Sequence, residues 1–261
     1  MLIALIVGAF GLIIGSFLNV VIWRVPRGES LIPDSHCPKC NYHIQWWLNV
    51  PVLAWIGLKG KCKNCKEPIS MRYPLIELLT GLLFFTFALF LPIDSLSSII
   101  ALVAILYFVS IGVALSMIDL DTKTLPDKIV LPSYIVVFSL FSISSIISGS
   151  YWPLLQSLIG GVSLFLFYFA LAMVKKDGMG GGDIKLSGVI GLILGWFSFK
   201  VLIVGAFMAF MLSFLFTVPI LIFKKYNNKT AIPFGPWMFL GAWISIFVGD
   251  TIANSYLSTI S

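Results

Sequence analysis

Eight long apolar runs divide this 261-residue chain, at about 2–23, 74–92, 97–118, 128–147, 153–174, 184–198, 201–223 and 232–250. A helix needs about 20 mostly apolar residues to cross a bilayer, and most of these runs supply them. The sixth is short and glycine-rich. Membrane-barrel strands would alternate apolar and polar residues in pieces of roughly ten, and no run does so. A water-soluble domain is also excluded: 11% of the residues are charged and 59% hydrophobic, against roughly 25% charged in soluble domains. The expected fold class is therefore an all-α polytopic membrane protein of about eight transmembrane helices.

Charge gives the orientation. The first run has no basic stretch before it and is followed by Arg24 and Arg27. It is therefore expected to be a retained helix, not a cleaved signal peptide, with its N-terminus outside. Threading eight helices from there puts every Lys and Arg except Lys200 in segments on one side. Those segments hold Arg24, Arg27, Lys39, Lys59, Lys61, Lys63, Lys66, Arg72, Lys123, Lys128, Lys175, Lys176, Lys185, Lys224, Lys225 and Lys229. A miscount of one helix would scatter them, so the asymmetry supports both the count and the orientation. Three regions follow: helix 1 over 1–23, a cytoplasmic loop over 24–73 and a helical bundle over 74–261.

The first helix carries Gly11-Leu-Ile-Ile-Gly15, small residues four apart that let another helix approach closely. Ser16 and Asn19 share one face of its cytoplasmic half and are expected to point inward. The 24–73 loop is the only sizeable segment outside the runs. At that length a hydrophobic core is not enough, and a metal or disulfides usually complete the fold. All four cysteines of the chain lie here, as Cys37-Pro-Lys-Cys40 and Cys62-Lys-Asn-Cys65. Two C-x2-C knuckles offer two sulfurs each, as a tetrahedral zinc site requires. Two disulfides are the alternative, disfavoured in a reducing compartment. Four sulfurs leave no position for water, so the metal is expected to be structural. His36 and His43 are not expected to be ligands.

Acidic residues are few. Asp119, Asp121 and Asp127 follow the third apolar run, and Asp183 closes Gly180-Gly-Gly182-Asp183 before the sixth. Both groups lie on the cytoplasmic side of the threaded topology. Two carboxylates brought together in apolar surroundings cannot easily both ionise. One then keeps its proton and the other acts as base toward water, the arrangement that hydrolyses a peptide bond without metal or covalent intermediate. Each aspartate also has a plainer reading. Asp127 after Pro126 suits an N-cap, Asp183 could N-cap its own helix, and Asp121 is expected to be solvated. Asp119 abuts an apolar run directly, where an ionisable group is a functional candidate by default.

Together these motifs resemble the type 4 prepilin peptidases, bacterial membrane aspartic proteases of the GxGD kind. The matching residues are Gly15-Ser-Phe-Leu-Asn-Val-Val with Arg24 and Pro26, the paired cysteine knuckles, and Ile69-Ser-Met-Arg72-Tyr-Pro74 leading to Glu77. They continue with Ile118-Asp119-Leu-Asp121, Leu125-Pro126-Asp127, Gly178-Met-Gly180-Gly-Gly182-Asp183-Ile-Lys185-Leu and Ile232-Pro-Phe-Gly-Pro236. The resemblance implies catalysis by Asp119 and Asp183, supported by Gly180, Gly182 and Lys185. It implies cleavage of a basic leader from prepilins and pseudopilins at the cytoplasmic face of the bacterial inner membrane. It further implies N-methylation of the new N-terminus from S-adenosylmethionine, with Arg72 and Glu77 as candidates and the zinc loop of Cys37, Cys40, Cys62 and Cys65 as an associated part. The expected partners are these substrates and the lipid bilayer, with no nucleic acid. Asp119, Asp121, Asp127, Asp177 and Asp183 would attract a basic leader. A transporter or channel, and a scaffold without chemistry, are the competing classes. Against an ion path, the aspartates sit at helix ends and no charged chain crosses the bundle.

Overall fold

A computed structural model describes residues 1–32, 35–37, 39–174, 179–223 and 233–260. Pro38, Lys175, Lys176, Asp177, Gly178, Lys224, Lys225, Lys229 and Ile232, named above, lie outside the described residues. Every apolar run is a helix. These are α1 (Leu2–Arg24), α3 (Arg72–Phe90), α4 (Leu96–Thr122), α5 (Asp127–Ser148), α6 (Trp152–Val174), α7 (Gly181–Phe197), α8 (Phe199–Phe223) and α9 (Gly235–Ile260). A short helix, α2 (Leu53–Gly57), lies in the cysteine loop. The described residues contain no strand, only two isolated bridges. Helices satisfy their own backbone, which an apolar solvent demands.

Seven of the helices are long and apolar enough to span a membrane; α7, with 17 residues, is the exception. Its residues Leu186 to Gly195 are all buried. A helix apolar all round belongs inside a protein, and α7 is the centre of its unit.

The chain forms two compact units. The first comprises Met1–Ile93 and Val109–Ala114. Here α1 packs on α3 along glycines. A Cβ on Gly15 would lie 2.7 Å from the Glu77 Cα, and one on Gly11 would lie 2.6 Å from the Phe84 Cβ. The small-residue motif is thus a close-approach seam, as expected. The inward-facing expectation also holds for Asn19, which is buried and donates to the Tyr73 carbonyl at 3.2 Å. Arg24 is buried where α1 ends, its guanidinium donating to the Ser30 carbonyl.

The second unit comprises Asp94–Phe108 and Leu115–Ser261. In it α6 packs against α7 almost backbone to backbone. A Cβ on Gly160 would come within 2.5 Å of the Gly191 oxygen, and Ser157 donates to the Leu192 carbonyl at 2.6 Å. Phe141 of α5 stacks on Trp196 of α7 at 4.1 Å. These contacts fix the second half of α7, from Gly191 to Trp196.

Candidate active site

The apolar run stops at Ile118, yet α4 continues to Thr122 and ends at Lys123 in the left-handed conformation (φ 55°). Asp119 is therefore in the last turn of a helix, not in the loop after it. It is 5% exposed. Its Oδ2 accepts from the Gly235 N–H at 2.9 Å, and the Phe234 N–H contributes as well. The carboxylate thus receives the amides that open α9, where the helix dipole favours negative charge. A Cβ on Gly235 would lie 3.0 Å from that oxygen. In sequence Gly235 is merely part of the stretch that opens the last helix. Its role in holding Asp119 depends on a contact across 116 residues.

Asp183 lies in the first turn of α7, whose N-cap is Gly180. The N-cap reading of Asp183 is therefore replaced. As the third helical residue, Asp183 donates its N–H to the Gly180 carbonyl at 3.0 Å, and its carboxylate lies beside Gly180. Gly180 leaves room for it: a Cβ there would sit 3.0 Å from Asp183 Oδ2. Gly182 lies against Leu125, with 2.9 Å left between a hypothetical Cβ and the Leu125 Cβ.

The N-cap reading of Asp127 is also corrected. Pro126 is the N-cap of α5, without a capping side chain, and Asp127 is the first helical residue. Its two oxygens receive Lys185 Nζ at 2.9 and 2.8 Å. Asp121 is exposed, in line with the solvated reading.

One cavity of about 250 Å³ collects these groups. Asp119, Asp127 and Asp183 line it with Lys123, Thr124, Leu125, Gly180, Gly181 and Gly182. Asp119 and Asp183 thus line one and the same cavity. The fold therefore gathers Asp119, Asp183, Gly180 and Gly182 in one place, with Lys185 tied in through Asp127.

In the first unit the four cysteine sulfurs lie within 4.8 Å of one another. Cys37 and Cys65 are 3.8 Å apart and Cys40 and Cys62 4.0 Å. A tetrahedron with Zn–S bonds of about 2.3 Å has S···S edges of about 3.8 Å, so the set fits a metal ion. The two knuckles are built alike. The Cys37 and Cys62 N–H groups donate to the carbonyls of Tyr42 and Glu67, five residues on. Asn41 and Lys66 adopt positive φ and donate back to the carbonyls of Cys37 and Cys62. A hydrogen bond from the Tyr42 backbone, foremost, holds the Cys40 thiol down to about 6 despite its desolvation. No disulfide is formed.

Glu77 is buried within α3. Its Oε2 accepts from the Val52 N–H at 2.7 Å, and Ser16 of α1 adds a second hydrogen bond. Val52 has φ 60°, a strained value for a β-branched residue, and opens α2. Glu77 thus ties the cysteine loop to α1 and α3. Arg72 is half-buried in the first turn of α3.

Residues 9–91 match the bacterial peptidase A24 N-terminal domain, and residues 106–222 match the type IV leader peptidase family. A prepilin leader peptidase/N-methyltransferase of Aeromonas salmonicida strain A449 is 34% identical over 284 residues, covering 96% of this chain and 92% of the relative. This chain belongs to the type IV leader peptidase family. The proteins of the same name from Aeromonas hydrophila (33% identical, 95% and 92% covered) and Pseudomonas aeruginosa (31%, 95% and 91%) agree with that membership. No solved structure matches. The resemblance drawn from the sequence motifs is thereby borne out, and the transporter and scaffold readings are not favoured. The two matched segments hold the two sites: 9–91 the cysteine cluster with Glu77, 106–222 the three cavity aspartates.

Proposed function

We infer that this protein is a membrane aspartic endopeptidase that removes the basic leader of prepilins or pseudopilins and then N-methylates the new N-terminus. The observation that carries the peptidase half is the shared cavity of Asp119 and Asp183. In the proposed mechanism one carboxyl keeps a proton and hydrogen-bonds the scissile carbonyl. The other, ionised, takes a proton from a water that attacks the carbonyl carbon. The proton then passes to the leaving amine. The Gly235 and Phe234 amides fix the orientation of the Asp119 carboxylate. Gly181, with open space where a side chain would stand, leaves room in the cavity wall for an extended backbone. Cleavage takes place at the cytoplasmic face of the bacterial inner membrane, the side on which the basic residues gather.

The metal in this reading is zinc, held by Cys37, Cys40, Cys62 and Cys65. It supplies shape to a segment too small for its own core. Family membership supports methyl transfer from S-adenosylmethionine. Of the two candidate residues, Glu77 is buried and already engaged with the Val52 N–H, so its contribution is to seat the loop. Arg72, half-buried at the start of α3, is the candidate for the cofactor's carboxylate.

The test uses purified protein, a prepilin and labelled S-adenosylmethionine. The unaltered enzyme is expected to cleave, whereas Asp119→Asn and Asp183→Asn each abolish cleavage. Cleavage surviving both substitutions would end the aspartyl assignment.

A further inference from the structure

The glycine loop before Asp183 supplies no stiffness of its own, so something else must hold the first turn of α7 in place. The contacts of Lys185, two residues beyond Asp183, provide that hold. Its backbone carbonyl accepts a hydrogen bond from the Tyr134 hydroxyl of α5. Its ammonium is gripped by both oxygens of Asp127, at the start of the same helix. The Tyr134 hydroxyl occupies the space that a Cβ on Gly188 would need, so the absence of a side chain at 188 permits the contact.

We propose that Asp127 and Tyr134 are positioning residues for Asp183, acting through the two ends of Lys185. The inference rests on the reading of Asp183 as catalytic. Both Lys185 and Asp127 are about half exposed (43% and 52%), and pairs at that exposure contribute little net stability. Stability alone is thus a weak reason for the pair. Geometry is a stronger one, because one helix holds the other at two points around the turn that presents Asp183. A simpler reading is neutralisation. Lys185 lines an apolar groove with Leu131, Ile135, Val162 and Phe165, and an acid beside it would merely cancel its charge.

The two readings separate in a double-mutant cycle on the full-length enzyme, measuring kcat and KM for prepilin cleavage together with melting temperature. Positioning predicts that Asp127→Asn, Lys185→Gln and their combination each lower kcat by about tenfold, with KM within about twofold, since small misplacements of a reacting group cost rate rather than binding. Residues acting as one unit give non-additive losses, so the double variant should be no slower than either single. Lys185→Arg keeps charge and reach and should stay within about threefold of wild type. Tyr134→Phe should lower kcat severalfold with melting nearly unchanged. Recovery of wild-type kcat in the double variant would overturn the proposal in favour of neutralisation. A loss confined to KM would overturn it in favour of direct leader contact. Wild-type kcat in Asp127→Asn would overturn it outright. Failure of the unaltered enzyme to cleave would instead strike the peptidase reading itself.

Discussion

The cavity of Asp119 and Asp183 and the cluster of four cysteines solve the same problem by opposite means. Each must hold reactive side chains from distant parts of the sequence at fixed separations. The cavity does so with long helices whose seams are glycine, so that α7 is set by its backbone contact with α6. The cysteine loop has no such helices. Its order comes from two matched knuckles whose sulfurs converge to within 4.8 Å, a geometry that a metal would lock. The difference teaches where each site is vulnerable. The cavity should be sensitive to added carbon and the loop to lost metal.

The largest expected effect is therefore on the loop. A strong chelator, or Cys37→Ser with Cys62→Ser, removes binding energy on the order of 10 kcal/mol for a structural zinc. The loop should lose order, seen as a change in emission from Trp47 and Trp55, while far-ultraviolet circular dichroism keeps the helical bundle. Metal analysis should return one zinc per chain.

Next come the helix seams. Gly191→Ala forces a methyl group onto the Gly160 carbonyl, and Gly15→Ala forces one onto the Glu77 backbone. Each should cost about 1–3 kcal/mol by overpacking, read as a fall in melting temperature. The comparison sharpens if Gly191→Ala also slows cleavage while leaving zinc content untouched.

Glu77→Ala leaves the buried Val52 N–H without its acceptor and should cost about 1–3 kcal/mol. The effect should be local: faster proteolysis around residues 46–57 with the bundle intact. The smallest effect belongs to Gly28→Ala. Gly28 has φ 71° with open space around it, so only backbone strain of about 1 kcal/mol is expected, with cleavage rates unchanged.

The helices themselves were legible because each is an apolar run bounded by charge or turn residues. The cysteine site was legible because ligand spacing is local. What escaped the sequence was long-range. Asp127 looked like a cap since Pro126 precedes it, but its partner Lys185 lies 58 residues away. The end of α4 was misjudged because the carboxylates end the apolar run while the helix continues four residues past Ile118 to Thr122. Tyr134 gave no signal, since an isolated tyrosine in an apolar helix reads as packing. The Gly235 amide on Asp119 could not be read either, as backbone groups carry no pattern in sequence.

The division of labour between the two regions meets its most direct test in one tube. Leader cleavage and methylation of an already cleaved pilin are measured together for the unaltered enzyme, for Asp119→Asn and for Asp183→Asn. The account predicts that both variants lose cleavage completely and still methylate the cleaved pilin at close to the normal rate. Cleavage by both variants within about tenfold of normal would contradict it, because removing an essential acid or base costs at least about 10²-fold.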